Sequence, residues 1–262
     1  MLWLIQNNYV EAMTGKLAWA LNLSGRTLYD FSLVPGEPLP ELPCSPDEPH
    51  FFYGSTGLLQ RLRGTPEWAG SVYGDKASLD QRYWYKHRAR DMLNPTFELQ
   101  TLQQLRGGAH GKTFFVRPVV DQKAFAGQVV VNGDLAGLYR GRKGEVRQHR
   151  DDLLVAVSPV LPAISAEYRL VVKDHRVRLG SQYRKDGWLD IHPEVPAEVL
   201  ERAQALAAGW MPADFIVMDV AVMPDGEVRI IEFNSVHSSG LYAIAGSDFA
   251  KLVEEAWASR AP

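Results

Sequence analysis

The residues best suited to chemistry lie near the C-terminus, in Phe215-Ile-Val-Met-Asp219-Val-Ala-Val-Met-Pro224-Asp225-Gly226-Glu227-Val-Arg-Ile-Ile-Glu232-Phe-Asn234. Asp225-Gly226 between two apolar runs is a hairpin signal. A loop centred on that dipeptide sets Asp219 directly opposite Glu232, and strand alternation puts Asn234 on the face of Glu232. A three-residue loop would instead send Glu232 to the face opposite Asp219. Like charges facing each other in a ladder repel, and burying them uncompensated costs several kcal/mol or raises a pKa. A hard divalent cation removes the conflict, because Mg²⁺ prefers carboxylate and amide oxygens and keeps phosphate and water ligands. Three protein ligands suit an ion shared with a nucleotide better than a closed structural site. The competing reading is a half-exposed hairpin with solvated acids, and the turn residues Asp225 and Glu227 are expected to be solvated in either case.

Other chemistries fit less well. Gly107-Gly-Ala-His-Gly-Lys112-Thr113 imitates a phosphate-binding loop, but only three residues separate Gly107 from Gly111. The working motif also needs a strand before it and a helix after it, and here a helical stretch precedes while the strand-like Phe114-Phe-Val-Arg-Pro follows. The seven histidines show no His-x-x-x-His spacing for a metal. The single cysteine, Cys44, lies in a proline-rich stretch and reads as an inert thiol.

The elements that must position the acids come in two groups. Strand-like Leu2–Ile5, helical Val10–Leu21, strand-like Tyr29–Val34 and His50–Tyr53, and a helix from Ser55-Thr56 to Leu62 suggest a small α/β lobe. Its loop from Pro35 to Pro49 holds six prolines, and its end falls between Gly70 and Asn94. Beyond it the chain is richer in strands. These are Thr113–Val120, Gln128–Val131, Leu153–Val157, Tyr168–Val172, Arg176–Leu179, Phe215–Met223 and Glu227–Phe233. Helices are expected at Thr101–Leu105, Val195–Ala208 and Lys251–Ser259.

Asp219, twelve intervening residues and Glu232-Phe-Asn234 resemble the metal-binding signature of the ATP-grasp superfamily. Phe114-Phe-Val-Arg117-Pro118, running on to Lys123 and Gly127, is similar to the first strand of the family's nucleotide lobe. Ala166-Glu167-Tyr168-Arg169, with the later Gly180-Ser-Gln-Tyr183-Arg184, resembles the Glu/Asp-x-Arg strand and its partner in RimK-like members, especially small bacterial and phage-borne ones. The likeness runs from about Leu99 to the C-terminus and is weaker over the N-terminal lobe.

The resemblance implies an α+β fold in which two lobes clamp ATP, with residues 1–90 as a pre-ATP-grasp lobe and 91–262 as the nucleotide- and metal-binding region. It implies ATP and Mg²⁺ as cofactors, with Asp219, Glu232 and Asn234 on the metal. Arg117 and Lys123 would meet the phosphates, and the hinge run at Ser158 and Val160 would offer its backbone to adenine. Glu167 would sit near the ribose or the metals, and Arg169 and Arg184 at the transferred phosphoryl group. The implied activity is an ADP-forming ligation of a carboxylate to an amine, or less often a thiol, through an acyl-phosphate. A phosphotransferase, or a nucleotide-binding protein without turnover, is the alternative. Two departures stand out: Arg117 occupies a position where many relatives have Lys, and Val217 one where D-alanine-ligase-like members have Arg. The small-residue loop Ser235–Gly240 is a candidate anion cradle.

Composition sets the outer limits. With 46% apolar and 23% charged residues, the chain has enough apolar mass for a sizeable core. A formal charge of −3 and a pI near 6.2 give no global field for nucleic acid, although Arg140–Arg150 is locally basic. No apolar run reaches membrane-spanning length, and the N-terminus lacks a signal-peptide pattern. The expected partners are carboxylate and amine substrates, small or peptidic, in the cytoplasm, with no nucleic acid and no membrane.

Overall fold

The computed structural model describes residues 1–9, 11–34, 36–75, 77–120, 124–140, 146 and 148–260. The N-terminal part comprises β1 (Leu2–Gln6), α1 (Glu11–Leu23), β2 (Thr27–Phe31), β3 (His50–Tyr53), α2 (Thr56–Gly64) and α3 (Gln81–Arg88). Its three strands are parallel in the order β2-β1-β3. Strand β2 begins and ends earlier than the apolar run Tyr29–Val34 suggests, because its register is set by β1, from Leu2↔Thr27 to Gln6↔Phe31. Ser55 caps α2, its hydroxyl accepting from the Leu58 N–H at 3.1 Å. Helix α3 has no counterpart in the sequence reading. Its residues are mostly polar, yet Gln81, Trp84 and Arg88 are buried, so the apolar periodicity that announces a helix is missing.

A second sheet follows. It is built from β4 (Glu98–Thr101), β5 (Phe114–Pro118), β6 (Gln128–Val130) and β7 (Leu154–Ser158), with α4 (Leu102–Gly108) inserted after β4. The strands are antiparallel in the order β4-β7-β5-β6. Thr101 and Gln104 form a reciprocal capping box at the start of α4. The glycine-rich segment therefore follows a helix and precedes a strand, the reverse of a phosphate loop.

The largest sheet contains β8 (Ala166–Lys173), β9 (Arg176–Lys185), β10 (Trp188–His192), β11 (Phe215–Val222) and β12 (Val228–Asn234), with α5 (Ala197–Ala207) and α6 (Gly246–Ala258). It is antiparallel in the order β10-β9-β8-β11-β12. Alternation divides its faces. Tyr168, Leu170, Val172, Ile216, Met218 and Val220 pack with Val199, Ala203 and Ala207 of α5. Val171, Phe215 and Val217 turn the other way, into a core shared with Trp3, Ile5, Phe51 and Phe249. Strand β9 runs well past Leu179, since Gly180 to Lys185 stay paired to β8 despite their polar sequence.

The β11–β12 hairpin departs from the two-residue turn of the sequence reading. The Met223 N–H bonds to the Glu227 carbonyl at 2.8 Å, and the Gly226 N–H to the Met223 carbonyl at 2.8 Å. The loop is thus Pro224-Asp225-Gly226, with Gly226 at φ +83°, a left-handed position that glycine adopts without strain. Alone, that loop would place Glu232 on the wrong face. A bulge compensates: Val220 pairs with Ile230 but Asp219 with Glu232, leaving Ile231 as the extra residue. Ile230 and Phe233 can then both enter the core under α5, while Asp219 meets Glu232 on the opposite face.

Candidate active site

Register brings the charged residues into one transverse row. Arg169 on β8 pairs with Asp219 on β11, which pairs with Glu232 on β12. Arg169 grips Asp219 with two hydrogen bonds, Nε to Oδ1 at 2.9 Å and Nη2 to Oδ2 at 2.6 Å, the fork geometry that makes such pairs strong. A third donor, Nη1, reaches the Gly240 carbonyl at 2.9 Å. The Tyr242 ring lies 4.9 Å from the same guanidinium and stacks on Tyr183 at 4.8 Å. Asn234 stands between the two acids, donating to Asp219 Oδ2 at 3.1 Å and to Glu232 Oε1 at 2.9 Å.

Arg117 enters from the other sheet. It bonds to the Glu232 carboxylate and, through Nη1, to the Ile231 carbonyl at 3.1 Å. Glu167 lies two residues from Arg169, on the same face of β8, and pairs loosely with Arg184 at 3.5 Å. Arg184 is exposed at the rim. Ser158 and Pro159 lead out of β7 toward β8, and the Asn94 amide ties them down with bonds to Ser158 Oγ at 3.0 Å and the Pro159 carbonyl at 3.4 Å. Val160 is exposed beside them. Lys123 lies outside the described residues. Val217, the position of the missing arginine, is 1% exposed and belongs to the core.

The two acids sit in unlike environments. Burial pushes the Asp219 carboxyl above the usual aspartate range, and the Arg169 charge opposes that shift without cancelling it. Burial works on Glu232 in the same direction, but Arg117, Asn234 and Arg169 together hold its carboxyl below the usual glutamate range. Arg169 itself is held above the ordinary arginine value: burial disfavours its charge, and Asp219 more than offsets this. The like-charge conflict that pointed to a divalent ion is therefore relieved here by two guanidinium groups. The donor set still fits Mg²⁺. Two carboxylates and an amide converge on one patch, and a half-turn of the Asn234 amide presents its oxygen in place of its nitrogen.

Several residues that hold this site carry no functional signal in the sequence. His237 is fully buried and uses both ring nitrogens, one on the Phe52 carbonyl at 2.7 Å and one on the Tyr73 N–H at 3.0 Å. Its own carbonyl accepts the Gly54 N–H at 2.8 Å, so the loop after β12 is fastened to β3. Lys16 on α1 donates to the Tyr242 carbonyl, and the Tyr53 hydroxyl to that of Ser239. Only Asn94-Pro95, a turn-initiating dipeptide, leaves a readable trace.

A family model described as an ATP-grasp domain, the second family of its clade, matches residues 93–252. The chain belongs to this ATP-grasp family. With it come ATP and Mg²⁺ as cofactors and ATP-dependent ligation as the general activity of the class. No curated protein matches the chain. Among solved structures, the D-alanine–D-alanine ligase from Bacillus anthracis complexed with ATP superposes with a TM-score of 0.60 at 14% identity, over 99% of this chain and 97% of that one. The D-cycloserine synthetase DcsG gives 0.57 at 14% identity over 97% and 99%. The ATP-grasp ligase PsnB complexed with a minimal precursor gives 0.53 at 14% identity over 99% and 99%. At such identities the likeness is one of fold, and it agrees with the α+β ATP-grasp architecture expected from the motifs. No helix among the described residues is long and apolar enough to cross a membrane.

Proposed function

We propose that this ATP-grasp protein is an ADP-forming ligase that joins a carboxylate to an amine, or less often a thiol, through an acyl-phosphate. The carboxylate oxygen would attack the γ-phosphorus of ATP and ADP would leave. The amine would then attack the acyl carbon, expelling phosphate and losing a proton. The row Arg169–Asp219–Glu232, completed by Asn234 and by Arg117 from the facing sheet, is the observation that carries this reading. Asp219, Glu232 and Asn234 would hold Mg²⁺, whose contribution when bound is to neutralise phosphate charge. Arg117 and Lys123 would orient the phosphates, and the backbone at Ser158 and Val160 would meet adenine. Glu167 would lie near the ribose or the ions. Arg184, the least committed guanidinium, would approach the reacting phosphoryl group, and Arg169 would do so with the donor capacity that Asp219 and Gly240 leave over.

One observation supports a phosphotransferase as the second reading. The position that carries an extra arginine in D-alanine-ligase-like relatives is Val217, sealed in the core, so stabilisation of an acyl-phosphate would rest on Arg169 and Arg184. Carboxylates and amines of small molecules and peptides are the proposed substrates, the chemistry is assigned to the cytoplasm, and the lobe of residues 1–90 is proposed to shape the acceptor pocket.

Calorimetry provides the test. Wild type is expected to bind ATP tightly only with Mg²⁺, and Asp219→Asn and Glu232→Gln to weaken that binding at least tenfold. Equal Mg²⁺-dependent affinity in all three proteins would remove the site from consideration. Amino acids and peptides would then be screened for stimulated ADP release. An amide product supports the ligase, a phosphorylated product without amide supports the second reading, and ATP binding without ADP release leaves a nucleotide-binding protein.

A further inference from the structure

The family match begins at residue 93, yet a segment just before it reaches into the site. From Ser78 to Leu93 the chain forms a strap touching both sheets. At one end Asp80 bridges to Val120, and the Gln81 N–H bonds to the Val119 carbonyl at 3.0 Å, just beyond β5. At the other end Met92 bridges to Ile230, and the Leu93 N–H bonds to the Ile230 carbonyl at 2.7 Å, on β12. The Arg229 guanidinium adds a bond to the Arg90 carbonyl at 2.8 Å.

Trp84 stands in the middle of this strap, 1% exposed. Its indole N–H bonds to the Ser78 carbonyl at 2.8 Å, which fixes the plane of the ring. The ring meets Phe233 edge-on at 5.4 Å, and Phe233 separates Glu232 from Asn234 in sequence. The Arg117 guanidinium lies 5.9 Å from the same ring, within the range where an aromatic face attracts a cation. Arg117 is thus held by Glu232, by the Ile231 carbonyl and by Trp84.

We infer that Trp84 is a positioning residue for nucleotide binding: it presents a fixed aromatic face that orients Arg117 for the phosphates. An aliphatic side chain could fill the same volume, but it would leave Arg117 free to follow Glu232 alone. The inference rests on the nucleotide reading of Arg117, and the test separates the two.

Mg-ATP affinity would be measured by calorimetry on wild type, Trp84→Phe, Trp84→Leu, Arg117→Ala and each Trp84 variant combined with Arg117→Ala, after thermal melts confirm folding. Trp84→Leu is expected to weaken binding about tenfold and Trp84→Phe, which keeps a poorer ring face, about threefold. In the Arg117→Ala background both losses should shrink to less than twofold, because the group being oriented is gone. Wild-type affinity in both folded Trp84 variants, or losses that persist without Arg117, would overturn the inference. Should Trp84→Leu fail to fold, the Trp84→Phe cycle decides by the same criteria. Unchanged affinity in Arg117→Ala itself would sink the phosphate role of Arg117 and the inference with it, whereas a loss there with none from Trp84 sinks the inference alone.

Discussion

The five-stranded sheet meets its two neighbours through different chemistry. Toward the parallel N-terminal sheet it gives Val171, Phe215 and Val217 to one continuous core with Trp3, Ile5, Phe51 and Phe249. Toward the four-stranded sheet the links are polar: Arg117 to Glu232 and Ile231, and Asn94 to the exit of β7. The four-stranded sheet keeps its own core of Leu102, Phe114, Val116, Val155 and their neighbours, which includes no described side chain of the large sheet. Apolar burial resists opening because every exposed side chain is penalised. Polar contacts exchange with water or a ligand at little net cost. The first joint is therefore expected to stay shut through the catalytic cycle and the second to adjust around the nucleotide.

The largest expected effect attacks the closed joint. Phe249 is fully buried on α6, with ring contacts to Trp3, Phe51 and Tyr53. Phe249→Ala should destabilise the protein by about 3–5 kcal/mol in urea unfolding, with the N-terminal and five-stranded sheets still melting in one transition. Two separated transitions would break the comparison.

The same contrast marks what is legible in the sequence. Strand alternation and turn chemistry are local, so most strands, Ser55 as a cap and the pairing of Asp219 with Glu232 can be read directly. The pairing follows from an incomplete premise, because a longer loop and a bulge at Ile231 offset each other. A bulge depends on where Ile230 and Phe233 find a core, which no window of sequence contains. Helix α3 is illegible for a similar reason: its buried Gln81 and Arg88 are satisfied by carbonyls and an acid, most of them from distant segments. His237 reads as one histidine among seven, since its partners Phe52 and Tyr73 lie far away in the chain.

His237 supplies the next effect. Burial, reinforced by the charges of Arg260 and Arg63, lowers its pKa to about 3, against about 6.5 for a free histidine. As pH falls below the free value the unfolded chain takes up the proton first. Stability is complete above about pH 6.5 and declines toward pH 3, by about 1.4 kcal/mol per unit. His237→Gln should be less stable than wild type at pH 7, and the gap should narrow at that rate between pH 6 and pH 4. A gap independent of pH would mean that this joint does not depend on a neutral imidazole.

The smallest effect belongs to the adjustable joint. Asn94 is half-buried, and its amide bridges the two chain crossings between the sheets by bonding to Ser158 and Pro159. Asn94→Ala removes one good hydrogen bond and one long one, so about 0.5–1.5 kcal/mol of stability should be lost. Neither bond seals a core, and global unfolding should stay cooperative. What should change is local: amides of β4 and β7, which pair with each other through Glu98↔Val157 to Thr101↔Leu154, should exchange hydrogen faster than in wild type, while those of β8 and β11 should not. Mg-ATP, by spanning both sheets, should restore most of the lost protection. A loss above about 3 kcal/mol, a magnitude typical of core truncation, or acceleration spread evenly over all three sheets, would show that the second joint is as tightly coupled as the first.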